Sequence, residues 1–134
     1  QSRCFLVETA NRGGGVWTSG IIVPILSGIN LSELLINNAL DQNFSLKTSF
    51  WKGHVSLKFI KFAPGKIKNI NGIESALNIS GVEALRLNFK VGDVIESPKS
   101  GGSRHGFVII KSKNIEEMND TFKKIMNTIN IQYE

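Results

Sequence analysis

The run Cys4-Phe5-Leu6-Val7-Glu8-Thr9-Ala10-Asn11-Arg12-Gly13-Gly14-Gly15 decides how the rest of the chain is read. Cys4 to Val7 are apolar and predict a short buried strand that ends at Glu8. A carboxylate at the end of a buried strand is desolvated unless a positive group lies beside it. Arg12, four residues on, brings a permanent cation whose fork of donors suits phosphate or carboxylate. Three consecutive glycines cannot belong to a stable helix or strand interior, so Gly13, Gly14 and Gly15 predict a bend whose amides can crowd an anion. Glu for a hard cation, Arg and amides for oxyanions are together the chemistry of a magnesium–nucleotide site. On spacing alone, the same residues also read as a Glu8–Arg12 ion pair flanking a glycine-rich turn.

Beyond Gly20 the pattern turns helical in two pieces. Ile21, Ile22, Ile25 and Leu26 form a first stripe, with Pro24 tolerable only near the first turn and Gly28 as the stop. Asn30 reads as the next N-cap, with Glu33 three residues on, and Leu31, Leu34, Leu35 and Leu40 line one side of that second helix. Residues 41–50 are polar and read as a connector.

A strand follows near 55–62, where Val55, Leu57 and Phe59 alternate with Ser56 and Lys58; Ile60 and Phe62 share the opposite parity, so a bulge or a change of exposure is expected near Lys61. Pro64-Gly65 predicts a turn and 67–70 a return strand. Residues 73–77 can form a helical turn, 81–89 a strand, and 91–94 a turn into another short strand. The Ser/Gly/Pro-rich stretch 97–103 is a loop, and 106–110 a strongly apolar strand. Asn114 and Glu117 open the clearest element, a helix carrying Ile115, Met118, Phe122, Ile125, Met126 and Ile129 at helical spacing. Residues 129–133 read as a final strand. The two methionines read as core filling, and His54 and His105 stand too far apart, with no Cys/His spacing, for a zinc site.

The chain has 134 residues, 41% apolar and 20% charged, as in an ordinary globular protein. The fold class is therefore α+β, with several antiparallel-type strands and a long closing helix. No apolar run is long enough to span a bilayer, and a single cysteine, Cys4, predicts a reducing, cytoplasmic setting with no membrane partner. The net charge is +5, and between Gln42 and Ile73 no acidic residue interrupts Lys47, Lys52, Lys58, Lys61, Lys66 and Lys68. The chain has no initiator Met and opens straight into an apolar run, so a piece of a longer polypeptide is expected.

The run F-L-V-E-T-A-N-R-G-G-G, followed by I-I-V-P-I-L-S-G-I-N-L-S-E-L-L-I-N-N-A-L, resembles the end of the ATP-grasp fold. The tail S-G-G-S-R-H-G-F-V-I-I-K-S with its closing helix is similar to the last unit of the carboxylate–amine ligases, among them L-amino-acid ligases and carbamoyl-phosphate-synthase-like enzymes. The resemblance implies the C-terminal segment of an ATP-grasp domain over 1–43 (strand, Gly-rich loop, two helices). A small, mostly antiparallel lid or substrate domain with one long C-terminal helix would occupy 44–134. It implies Glu8 as the metal ligand joining Mg²⁺ to the ATP phosphates, Arg12 as the catalytic contact to phosphate or carboxylate, and Gly13 to Gly15 as the turn at the reacting group. Where the family pattern has Asn two places after Glu, this chain has Ala10. Either Asn11, one place late, stands in as metal and nucleotide ligand, or one metal contact is missing.

The implied reaction activates a carboxylate as an acyl phosphate and joins it to an amine. The implied partners are those two small molecules and the rest of the parent chain, without which the fragment is expected to be inactive. A homodimer is left open. The alternative is a non-catalytic module whose Lys-rich 42–73 stretch docks an anion or nucleic acid, disfavoured because no helix-turn-helix or RNP motif is visible. Trp17 is weighed as lining an amino-acid pocket or packing on the next helix, and Arg104 with His105 as facing the acceptor or ending a solvated loop.

Overall fold

Two antiparallel sheets and the helix between their last strands organise the second part of the chain. The computed structural model describes residues 5–6, 13–43 and 45–134. It divides into two compact units, Gln1–Phe50 and Trp51–Glu134.

In the first unit a π-helical turn, Thr18–Ile22, runs into α1 (Val23–Ser27), and α2 (Leu31–Ala39) follows. The helical path begins earlier than the expected Ile21, because the Trp17 carbonyl accepts from both Ile21 N (2.8 Å) and Ile22 N (3.4 Å), the wide spacing of a π turn. Pro24 sits in the first turn of α1, and Gly28 ends it at φ 73°, the left-handed conformation that glycine adopts freely. Asn30 caps α2, its side-chain oxygen accepting from Ser32 N and Glu33 N. No residue of these helices is buried, and Leu35 is 69% exposed. Phe5 and Leu6, the described part of the expected buried strand, have no regular structure and are each 82% exposed, since no described strand pairs with them.

The second unit holds β1 (His54–Ile60), β2 (Gly65–Asn71), α3 (Ile73–Leu77), β3 (Val82–Leu87), β4 (Val94–Ile95), β5 (Gly106–Ser112), α4 (Ile115–Thr128) and β6 (Asn130–Tyr133). One sheet has the order β1-β5-β3 and the other β4-β2-β6. β1 and β2 are therefore not a hairpin across Pro64-Gly65. β1 pairs with β5, and β2 with β4 and β6. Of the two alternatives near Lys61, the structure shows the change of exposure, from Phe59 at 42% to Ile60 at 2%, and not the bulge: β1 keeps an unbroken register through Ile60, and the register shifts lie at Val82/Ala84 and Ile67/Asn69.

The core forms where α3 and α4 cover one face of the β1-β5-β3 sheet. Ile60, Val108 and Ile110 meet Ala76, Met118, Ile125 and Ile129 there. That face takes the Ser56–Lys58–Ile60 side of β1, opposite to the side the alternation pointed to. Lys58 tolerates the position because its ammonium reaches the face of Phe122, 6.0 Å from the ring centre, while its methylene stem covers apolar surface. Asn114 caps α4 through Glu117 N (2.8 Å), but Glu117 accepts from Lys113 N rather than closing the box on Asn114. Gly72, at φ 83°, lets α3 start directly against the Thr128 carbonyl, where a Cβ would collide. Among the described residues, no single helix is long and apolar enough to cross a membrane.

Candidate functional site

Of the residues singled out for nucleotide and metal chemistry, Glu8, Asn11 and Arg12 lie outside the described residues, and the glycine bend lies inside them. The bend is fastened to the helix that follows it. Thr18 donates both its amide (3.1 Å) and its hydroxyl (2.6 Å) to the Gly15 carbonyl, and the Ser19 hydroxyl donates to Gly14 (3.4 Å). The absence of side chains at Gly13 and Gly14 has a local cause: a Cβ at Gly13 would meet Ser19, and one at Gly14 would meet Thr18. Around Gly15 there is open space.

The left-handed residues are not the glycines but Val16 (φ 50°) and Trp17 (φ 58°). A β-branched residue in that region costs roughly 1–3 kcal/mol and persists where its surroundings over-determine it. The turn from glycine bend to helix is therefore strained. Trp17, 43% exposed at the helix entrance, is not buried under the helix that follows.

A second cluster lies in the other unit, at the loop before β5. His105 is 3% exposed. Its Nδ1 accepts the Phe62 N–H at 3.0 Å, and its Nε2 stands 2.6 Å from the Glu96 carbonyl. A carbonyl can only accept and an amide can only donate, so the ring is the Nε2–H tautomer with both nitrogens engaged. Phe89 meets it edge to face at 6.1 Å, and Phe62 meets Phe89 in the same way at 5.8 Å. His105 is thus a bracket between the end of β1, β4 and β5. Sequence reading missed this role because both partners are backbone groups distant in the chain.

Arg104, next to it, stacks on Phe59 with its guanidinium carbon 3.6 Å from the ring centre. A cleft of about 330 Å³ runs along this loop, bordered by Phe89, Ile95, Lys99, Ser103, Arg104 and His105. Among the described residues, no cluster of three or more His, Cys, Asp or Glu could hold a metal ion. Within the Lys-rich stretch, Lys66 pairs with Glu134 at 2.7 Å, and the Lys58 ammonium lies 6.0 Å from the Phe122 ring centre.

The comparisons with known proteins fall on both units. The sequence model of the family described as L-amino acid ligase C-terminal domain 2 matches residues 58–134. Among solved structures, the chain is similar to the L-amino acid ligase from Bacillus licheniformis, with a TM-score of 0.67 and 22% identity over 90% of this chain. It is also similar to the phosphoribosylglycinamide synthetase from Anaerococcus prevotii, with a TM-score of 0.69 and 19% identity over 84% of this chain. It spans about 30% of the length of each. No curated protein matches it significantly. The mixed helix and antiparallel-sheet architecture expected from the sequence is the fold of the matching portion of these two enzymes.

Proposed function

We propose, from the premise that the chain belongs to the L-amino acid ligase C-terminal domain 2 family, that it is the C-terminal part of an ATP-dependent ligase joining a carboxylate, activated as an acyl phosphate, to an amine. The observation that carries this reading is the family match across 58–134, combined with a glycine bend that opens the helical segment preceding it. Neither alone names an activity. Together they put a helix-anchored Gly-Gly-Gly turn just after Glu8, Asn11 and Arg12 in sequence, in a chain of ligase-family type.

The donor set suits the implied groups. A Glu8 carboxylate and an Asn11 amide oxygen are the hard ligands Mg²⁺ prefers, and the Arg12 guanidinium pairs with phosphate oxygens in two-point geometry. ATP with Mg²⁺, when bound, would supply the phosphoryl group and neutralise part of its charge. Arg12 would stabilise negative charge on the transferred oxygens, and the amides of Gly13 to Gly15 would line its approach. The substrates, the parent chain and the second metal contact left in doubt by Ala10 belong to this same reading.

The test uses the full-length parent enzyme and a screen of amino acids for ATP-dependent phosphate release. Glu8→Ala should lower turnover by about a hundredfold or more, the scale seen when one charge-stabilising group is removed. Lys58→Ala should stay close to the parent. Phosphate release by Glu8→Ala at the parent's rate would refute the metal role.

A further inference from the structure

We propose that Arg104, laid flat on Phe59, is an oxyanion-binding site on the face of the β1-β5-β3 sheet turned away from α4, taking a carboxylate or a phosphate group. The site lies outside the 8–15 run and rests on the geometry of the second unit alone.

The first observation is that the guanidinium is held and that no described residue neutralises it. Its carbon lies 3.6 Å from the Phe59 ring centre, and a Cβ on Gly101 would lie 3.7 Å from that carbon and 3.8 Å from Nη2. The group is therefore stacked on the Phe59 ring, and the space a side chain at residue 101 would take lies beside it. Stacking of this kind occupies one face of the guanidinium and leaves its N–H edge available. Among the described residues the ion pairs are Lys66–Glu134, Lys99–Glu96 and Lys123–Asp120, and none involves Arg104. No described acceptor receives its side-chain donors either. A partly buried cation with neither counter-ion nor acceptor among the described residues has donors that a bound anion can pair with.

The second observation is that the backbone beneath it is fixed. Asn88 binds on both sides: its Nδ2 donates to the Arg104 carbonyl at 2.9 Å and its amide to the His105 carbonyl at 2.9 Å. The His105 ring is tied at both nitrogens. An arginine whose main chain and plane are both set loses little freedom on pairing, which is the condition for affinity from a single contact.

The third observation is the charge of the surface. Phe59 stands opposite Phe107, and Phe107 opposite Arg86, so Arg86 shares the face with the Phe59–Arg104 stack. Arg86 is exposed and has no ion pair among the described residues. The ladder positions on this face supply Arg86 and Lys111 and no acidic side chain; Glu83 falls in the register shift beside Ala84. Glu96, the nearest acid along the loop, is engaged with Lys99 at 3.5 Å. Phe59 itself is 42% exposed, so the stack is open to solvent.

The test is an NMR titration of the isotopically labelled chain with inorganic phosphate and, separately, with acetate, at constant ionic strength. Saturable shifts centred on Arg104 Nε–H and the Gly101 amide are expected. Arg104→Gln should weaken the binding about tenfold or more, the value of one charge-assisted pair. Arg104→Lys keeps the charge but loses the planar fork, and should also weaken it. Phe59→Leu, which keeps the arginine but removes its platform, should do the same. The β5 amide spectrum checks that each variant is folded. Saturation by phosphate alone assigns a phosphoryl ligand, by acetate alone a carboxylate, and by both a shared oxyanion site. Shifts that do not saturate, or that survive unchanged in Arg104→Gln, would overturn the proposal.

Discussion

The imidazole of His105 receives the Phe62 amide on one side and faces the Glu96 carbonyl on the other, so leucine at this position leaves two part-buried backbone groups without this partner. His105→Leu should lower stability by about 1–3 kcal/mol in all, read as a fall in the urea midpoint at unchanged slope. The sequence shows a His in a Gly/Ser loop, which reads equally well as a substrate contact or a loop end. Its real role depends on groups 43 and 9 residues away, and no local pattern encodes them. Lys58 was misread for a related reason. Alternation treats a lysine as a mark of the wet face, whereas here its stem lies along the core and its charge finds the Phe122 ring. The residues of the proposed nucleotide contact, Glu8, Asn11 and Arg12, carry their signal in sequence alone.

Elements defined by local rules were the most legible. Asn30 and Asn114 announce their helices, and both caps are made by the asparagine side chain. Asn114→Ala should therefore destabilise the chain by about 1 kcal/mol, seen as a lower thermal midpoint with the sheets' amide signals otherwise unchanged. Gly28 and Gly92 were placed correctly as stops and turns, and both have positive φ. Pairing was less legible. Pro64-Gly65 between two strand-like runs signals a hairpin, yet β2 leaves the first sheet for the second. The turn residues fix a change of direction, but which strand lies alongside is decided by burial of Ile67 and Ile60 in their respective sheets. At the glycine bend, the amino acids named the turn. The left-handed backbone at Val16 and Trp17 could not be foreseen, because neither residue favours it.

At the scale of the whole molecule, every buried core residue among those described falls at Ile60 or later. The first unit's helices bury none of their residues, and Leu35, Ile36, Leu40, Leu46 and Phe50 are all exposed. The piece Trp51–Glu134 should thus fold and unfold cooperatively when expressed alone, while Gln1–Phe50 should show neither dispersed amide signals nor a cooperative transition. A cooperative transition in the first piece would contradict this account. The resemblance read from the two ends of the chain holds at the level of family and fold. It was legible because the Gly-rich turn and the S-G-G-S-R-H-G loop with its apolar strand are compact local signatures.

The order of strands in the second sheet bears on how the polypeptide reaches this state as it leaves the ribosome. β2 lies between β4 and β6, and the Lys66 carbonyl accepts from the Glu134 amide, so a strand made early is flanked by one made some sixty residues later. Until translation of that stretch is finished, one edge of β2 stays open to stray strands from neighbouring nascent chains. This sheet can close only once the later strand has itself emerged from the tunnel.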